Sequence, residues 1–143
     1  MGKLKLIRWL NKMHILDLGL QQIHQALLDK KITIEELVQE SLKRAKELQK
    51  ETNAFVTILE EDALAQAKAY QQNLSKDNLF YGIPIAIKDN FSTQGILSTG
   101  SSNILKNYVP IFESTVTQKL KEAHAINIGK TVLDELAMGG SGC

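Results

Sequence analysis

One lysine of this sequence stands where an apolar run gives way to polar, turn-forming residues. Residues 82–90 have the sequence GIPIAIKDN, and Lys88 is the first charged residue after the apolar stretch. An ammonium group is costly to bury unless it is paired or loses its proton. A lysine whose pKa falls by burial from about 10.4 towards 7 becomes a base that accepts a proton in catalysis. Lys88 is therefore the first candidate catalytic residue.

The predicted strand that ends at Lys88 has two different faces. Side chains alternate along a strand, so the three isoleucines share one face, and Lys88 lies with the smaller Pro84 and Ala86 on the other. In this geometry Asp89 points away from Lys88 and does not hold it charged. Two interpretations stay open: a buried catalytic base, or a strand-end lysine that extends its ammonium group into water. Spacing alone favours the second.

Two glycine-containing segments are weaker candidates. Residues 129–131, GKT, follow an apolar stretch, but a phosphate-binding loop needs another glycine at position 124, where this chain has His124. We expect a strand-to-helix turn capped by Thr131 instead. Residues 139–143, GGSGC, lack the last glycine and the preceding strand of a nucleophile elbow. Ser141 is thus a poor nucleophile, and a glycine-serine loop near a site is the better interpretation.

The histidines and the single cysteine, Cys143, form no metal-ligand pattern. His14, His24 and His124 are scattered along the chain, whereas a metal centre needs several clustered ligands. We expect these histidines to be structural or surface groups, and we predict no metal site. A chain with one cysteine forms no internal disulfide, which fits a reducing compartment.

The bulk composition is that of one globular domain. The 143 residues are 43% hydrophobic and have a formal net charge of +1, which gives no general reason to expect nucleic-acid or membrane binding. The apolar runs are too short for a transmembrane helix. Residues 1–12 contain four basic residues and no acidic one. We interpret them as an appended leader, with a basic amphipathic membrane-surface helix as the alternative.

Hydrophobic periodicity and capping patterns predict alternating helices and strands after the leader. Two helices, at about residues 20–27 and from the capping box of Thr33 and Glu36 to about residue 49, form a helical hairpin. The later elements are a strand at 53–59, a helix at 60–73, a strand at 83–87, a loop at 95–107, a helix at 116–123 with Val116, Leu120 and Ala123 facing inward, a strand at 125–128 and a short helix at 132–138. This order indicates an α/β layer structure.

Several segments, in this order, resemble the amidase signature family. Residues 82–90 resemble its lysine segment, and the likeness continues through ESTV at 113–116, KLKEA at 119–123, IGKT at 128–131 and DELAMGGS at 134–141. Within the family it is closest to the A subunits of the amidotransferases for glutamyl-tRNA(Gln) and aspartyl-tRNA(Asn). Their upstream segments are matched by IT at 32–33, ELV at 36–38, NAFVT at 53–57 and ALAQA at 63–67. Ordered segments are more specific than any single motif.

The resemblance implies a fold and a domain division. The fold class is α/β: an N-terminal helical hairpin followed by part of the mixed-sheet α/β/α amidase signature fold, truncated. Residues 13–143 would be the N-terminal part of the amidase signature domain, after the leader at 1–12.

The resemblance also implies a Ser–cis-Ser–Lys triad in which Lys88 is the base. In that family a neutral lysine deprotonates a bridging serine, which activates the nucleophilic serine. Both serines would lie beyond Cys143, so we expect the chain alone to be inactive. The substrate-pocket candidates are Met138, Gly139, Gly140 and Ser141.

The implied assembly is a heterotrimer with subunits B and C. The A subunit would hydrolyse glutamine, and the B subunit would use the ammonia together with ATP and magnesium on the misacylated tRNA, which it contacts. No cofactor is expected in the A subunit, no membrane contact, and a cytoplasmic location. The sequence departs from the family at Val132, where asparagine is usual, and at His124, where glycine is usual. A small-molecule amidase of the same family and a non-catalytic, partner-binding fragment stay open as alternatives.

Overall fold

The structure, a computed structural model, describes residues 14–140. The predicted leader at 1–12 and the pocket candidate Ser141 lie outside the described residues. Within 14–140, the helices and strands are α1 (Leu20–Leu28), α2 (Ile34–Thr52), β1 (Phe55–Ile58), α3 (Glu60–Tyr70), β2 (Pro84–Lys88), α4 (Thr115–Glu122) and β3 (Ile126–Thr131). None of these helices is both long and apolar enough to span a bilayer.

The predicted helical hairpin is confirmed as α1 and α2. Thr33 caps α2 through its hydroxyl, which accepts from the Glu36 amide at 3.1 Å, while the Glu36 carboxylate accepts from the Thr33 amide at 2.8 Å. This reciprocal pair satisfies two amide donors that have no partner inside the helix. The helix runs to Thr52, three residues beyond the predicted end, and stops where Asn53 adopts a left-handed conformation with φ of 51°.

A three-stranded mixed sheet, in the order β1-β3-β2, forms the centre of the fold. β2 runs parallel to β3, and β1 runs antiparallel to it. The chain between β2 and β3 contains α4, as a parallel crossover requires. The apolar sides of α1, α2 and α3 pack with the strands into one core, whose buried members include Leu27, Ile34, Leu37, Val38, Leu42, Ala63, Ala67, Ile83, Ile126 and Ile128.

Gly129 allows β1 to approach the central strand closely. It pairs with Ile58 on one side and with Ala86 on the other, next to an irregularity in each ladder. A Cβ atom at this position would lie 2.5 Å from the Thr57 carbonyl oxygen and 2.9 Å from the Phe55 ring. Both distances are below van der Waals contact, so any side chain here would push the strands apart.

The segment of residues 129–131 is not the strand-to-helix turn that the sequence predicts. All three residues lie within β3, and Lys130 is fully buried there. The predicted helix at 132–138 is also wrong, because only a 3-10 turn forms at Glu135–Ala137. Leu136 and Ala137 have φ of 53° and 61°, and left-handed residues cannot continue a right-handed helix.

The inward face of α4 also differs from the prediction. Val116 is 44% exposed, whereas Thr117 is 3% exposed. The Thr117 hydroxyl donates to the Ser92 carbonyl at 2.9 Å, and its amide donates to the capping hydroxyl of Ser114 at 3.3 Å. These polar contacts with the loop after β2 rotate the helix so that a threonine, rather than a valine, faces inward.

Replacement of Gly129 tests the strand approach. Because the new Cβ would meet a backbone carbonyl, we expect Gly129→Ala to lower the free energy of unfolding by about 1–3 kcal/mol. Urea unfolding followed by circular dichroism measures this change. Gly140→Ala is the matched control, since no atom lies within 4 Å of that Cβ position. Equal stability of the two variants would contradict the proposed crowding.

The capping box gives a test that depends on pH. Hydrogen bonds from the Thr33 amide and hydroxyl lower the pKa of the Glu36 carboxyl from its ordinary value of 4.5. A carboxyl whose pKa is lower in the folded chain stabilises it above the unfolded-state pKa, and this contribution is lost as pH falls through the folded-state pKa. Glutamine can replace glutamate in a capping box but does not titrate.

We therefore expect the unaltered chain to be more stable than Glu36→Gln at pH 7, and the difference to shrink between pH 5 and pH 3. Urea unfolding curves of both proteins at each pH provide the comparison. A difference that stays constant over this range would show that the carboxylate charge has no part in the cap.

Candidate active site

Lys88 lies at the carboxyl end of β2, where catalytic groups of α/β sheets commonly collect. It pairs with Thr131 of β3, and its carbonyl accepts from the Phe91 amide at 3.1 Å. The predicted faces of the strand are confirmed: Ile87 is 6% exposed, whereas Ala86 and Lys88 are exposed. The burial that a neutral lysine requires is thus not supplied by residues 14–140. Its catalytic role stays a prediction.

Asp89 follows Lys88 and turns to the opposite side, as predicted. It is completely buried, and its Oδ2 atom accepts from the Thr99 amide at 2.8 Å and from the Thr99 hydroxyl at 2.6 Å. Hydrogen bonds to an ionised acceptor are short and strong. They attach the end of β2 to a turn ten residues farther along the chain.

Lys130 is the buried lysine of this site. Its ammonium group lies 3.3 Å from Asp89 Oδ1 and donates to the Phe91 carbonyl at 2.9 Å and to the Ser98 hydroxyl at 2.8 Å. Burial lowers the pKa of Lys130 from its ordinary value, and the Asp89 carboxylate opposes this shift. Neither side chain has any exposed surface, so Lys130 cannot meet a substrate and acts as a structural cation.

The sequence argument did not identify Lys130, because it placed residues 129–131 in a turn. Two signals were available. An apolar strand sequence, INIG, leads directly to Lys130, and Asp89 directly follows the strand sequence PIAIK. Since a buried ammonium group needs a counter-charge, the two strand-end positions can be matched as partners once β2 and β3 are paired.

Residues 99–102 form a turn between the two predicted parts of the site. On one side, the Gly100 amide donates to the Asp89 carbonyl at 3.3 Å. On the other side, the Gly100 carbonyl accepts from the Leu136 amide at 2.8 Å, and the Ser101 hydroxyl accepts from the Leu133 amide at 3.0 Å. The turn therefore contacts both the end of β2 and the segment that leads to Met138.

The described pocket candidates lie on an exposed loop after that segment. Met138 is 87% exposed, and Gly139 and Gly140 are exposed as well. A Cβ at Gly139 would lie 2.7 Å from the Asp134 side chain, so this glycine allows the loop to fold back on itself. The structure brings the loop and Lys88 to the same turn. A pocket role for these residues stays a prediction.

The histidines occupy the structural and surface positions that the sequence predicts. His14 is exposed against α2, and His24 is buried with Nε2 3.2 Å from the Lys76 carbonyl. His124 stacks on Tyr81 at a ring distance of 4.9 Å. Within residues 14–140, no group of three or more metal-ligating side chains is placed to hold an ion.

A separate cleft of about 460 Å³ lies between α3 and α4, with Tyr70 and Leu120 in its walls. Its floor is formed in part by Ile85 and Ile87. These isoleucines share the face of β2 opposite to Lys88, so a molecule in this cleft would not reach the Lys88 side chain.

Known proteins of one family resemble this chain over most of its length. The amidase family model matches residues 36–143. The A subunit of glutamyl-tRNA(Gln) amidotransferase from Pediococcus pentosaceus is 48% identical over 130 residues, which are 90% of this chain and 27% of that protein. The protein of the same name from Streptococcus thermophilus is 48% identical over 124 residues, or 86% of this chain and 25% of that protein.

A solved structure shows the same similarity. The A subunit of glutamyl-tRNA(Gln) amidotransferase from Thermotoga maritima is 35% identical, with a TM-score of 0.68 over 92% of this chain and 26% of that one. The chain spans about a quarter of the length of the curated relatives it matches.

The buried ion pair can be tested by removing its cation. Lys130→Met leaves the Asp89 carboxylate buried without a counter-charge, and we expect the free energy of unfolding to fall by about 3–5 kcal/mol. Urea unfolding at pH 7 measures the loss. Lys88→Met is the matched control, because Lys88 is exposed, and its effect should stay within about 0.5 kcal/mol. Similar losses in both variants would contradict the structural role assigned to Lys130.

Proposed function

Because this chain belongs to the amidase family, we propose that Lys88 is a base in amide hydrolysis. We further propose that the chain is part of the glutamine-hydrolysing A subunit of a tRNA-dependent amidotransferase. The observation that supports this most strongly is the position of Lys88. It extends from the carboxyl end of β2, on the face opposite to the buried isoleucines, and the next residue is fixed in the core by polar contacts. Relatives 48% identical to this chain have the name of that subunit.

The proposed chemistry gives Lys88 one task. Its neutral amine takes a proton from a bridging serine, which in turn takes the proton of the nucleophilic serine as that serine attacks the glutamine side-chain amide. Ammonia leaves, an acyl-enzyme remains, and water then releases glutamate. We do not assign either serine to this chain, and Ser141 is not proposed as the nucleophile.

Exposure of Lys88 bears on how this chemistry would be achieved. An exposed lysine keeps its proton at neutral pH, so a base at this position needs further burial. We propose that other parts of the complete subunit cover the Lys88 face of β2. In the same subunit the loop of Met138, Gly139 and Gly140 would line the substrate pocket, where exposed glycine amides are suitable donors to a developing oxyanion.

The proposed assembly includes subunits B and C. The B subunit would use ATP and magnesium and would make most of the tRNA contacts, so no cofactor is proposed for this chain. A cytoplasmic location is proposed with it. These proposals are supported by the names of the relatives, and the high identity to A subunits favours them over a small-molecule amidase.

A complete A subunit provides the test. Residues 14–140 would replace the corresponding segment of the Pediococcus pentosaceus protein, which would be purified with its partner subunits. We expect ammonia release from glutamine and amidation of glutamyl-tRNA(Gln), and we expect Lys88→Ala to reduce both by about 10²–10⁴-fold. Lys106→Ala, at an exposed lysine of the same region, should have no effect.

Three results would count against the proposal. Full activity of Lys88→Ala would exclude Lys88 as the base. Amide hydrolysis without any tRNA-dependent product would favour the small-molecule amidase instead. Glutamine hydrolysis by the isolated 143-residue chain, lost in Lys88→Ala, would contradict the expectation that this chain is inactive alone.

A further inference from the structure

The two parts of the candidate site lie on separate segments of the chain, and one side chain connects them. We propose that Thr99 is a positioning residue that holds Lys88 in a set orientation relative to the loop of residues 138–140. This inference rests on the proposed function, because it concerns the geometry in which Lys88 acts as a base. Thr99 does not touch the reacting groups in this account and acts through Asp89 and the turn of residues 99–102.

The first connection runs from Thr99 to Lys88. Both the amide and the hydroxyl of Thr99 donate to one oxygen of Asp89, at 2.8 and 2.6 Å. The other oxygen of Asp89 faces Lys130 at 3.3 Å, and all three residues are buried. Because Asp89 is the residue next to Lys88, its fixed side chain sets the direction of the backbone from which Lys88 extends.

The second connection runs from Thr99 to the turn itself. The Thr99 hydroxyl, while donating to Asp89, also accepts from the Ser101 amide at 3.0 Å. Ser101 has a φ of 53° and Gly100 a φ of 57°. A left-handed conformation at a serine is uncommon and persists where surrounding contacts hold it. The Thr99 hydroxyl supplies one of those contacts.

The third connection runs from the turn to the pocket loop. Besides the Gly100 and Ser101 contacts to Leu136 and Leu133, the Ser102 hydroxyl donates to Glu135 at 2.7 Å. Leu136 and Ala137 are both left-handed, so the chain immediately before Met138 depends on outside partners for its conformation. Hydrogen bonds from this one turn provide them.

Hydrogen exchange on the 143-residue chain tests the mechanical link. Thr99→Val removes the hydroxyl but keeps the shape, and we expect the Leu136 and Met138 amides to exchange at least about tenfold faster. Thr99→Ser retains the hydroxyl and should restore most of the protection. Thr52→Val removes another hydroxyl that donates to a backbone carbonyl, far along the sequence at the end of α2, and should leave these amides unchanged.

A second pair of variants covers the case in which Thr99→Val does not fold. Ser102→Ala breaks the contact to Glu135, whereas Glu135→Gln keeps an acceptor for the Ser102 hydroxyl. We expect faster exchange at residues 133–138 in the first and near-normal exchange in the second. Unchanged exchange in both Thr99→Val and Ser102→Ala, or in Ser102→Ala when Thr99→Val does not fold, overturns the proposal.

The catalytic consequence is measured in the complete amidotransferase with residues 14–140 of this chain. Thr99→Val should lower kcat for glutamine hydrolysis by about tenfold or more, because small displacements of a catalytic group have large effects on rate. Thr99→Ser should restore most of it, a recovery that lost stability alone would not give. If Lys88→Ala abolishes hydrolysis and Thr99→Val leaves kcat unchanged, the positioning role is overturned while the proposed function stands. If the unaltered complex hydrolyses no glutamine, both are overturned.

Discussion

The ion pair between Lys130 and Asp89 is the interaction on which the geometry around Lys88 depends. Its two members come from the ends of two parallel strands, and neither has exposed surface. A buried charge without a partner is strongly destabilising, so each residue makes sense only in the presence of the other. Their side-chain hydrogen bonds go to Phe91, Ser98 and Thr99, and in this way one ion pair orders most of the loop after β2.

This arrangement separates two lysines that lie close in the sheet and have opposite environments. Lys130 is enclosed and paired, and it holds the strand ends together. Lys88 is exposed on the other side of the same strand end. A buried lysine with a lowered pKa is a common signature of a catalytic base, yet here that signature belongs to the structural residue. Access to substrate, rather than burial alone, distinguishes the candidate base.

The sequence allowed prediction of those features that depend on neighbouring residues. The capping box at Thr33 and the two faces of β2 follow from spacing of a few positions, and both are confirmed. Lys130 was missed because its partner Asp89 is distant in sequence. Residues 132–138 look helical by composition, but hydrogen bonds from the turn at 99–102 impose left-handed conformations there. Such tertiary contacts leave no periodic signal in the segment that they control.

The strand order has a consequence for how this chain is made. Within the described residues, β1 and β2 pair only with β3, the last strand of the three to leave the ribosome. Both earlier strands, FVTI and PIAIK, therefore wait without this native neighbour while the long segment containing α4 is translated. Unpaired apolar strands are prone to associate with other chains. The nascent polypeptide thus has a defined interval of vulnerability, which closes when the central strand emerges and completes both ladders together.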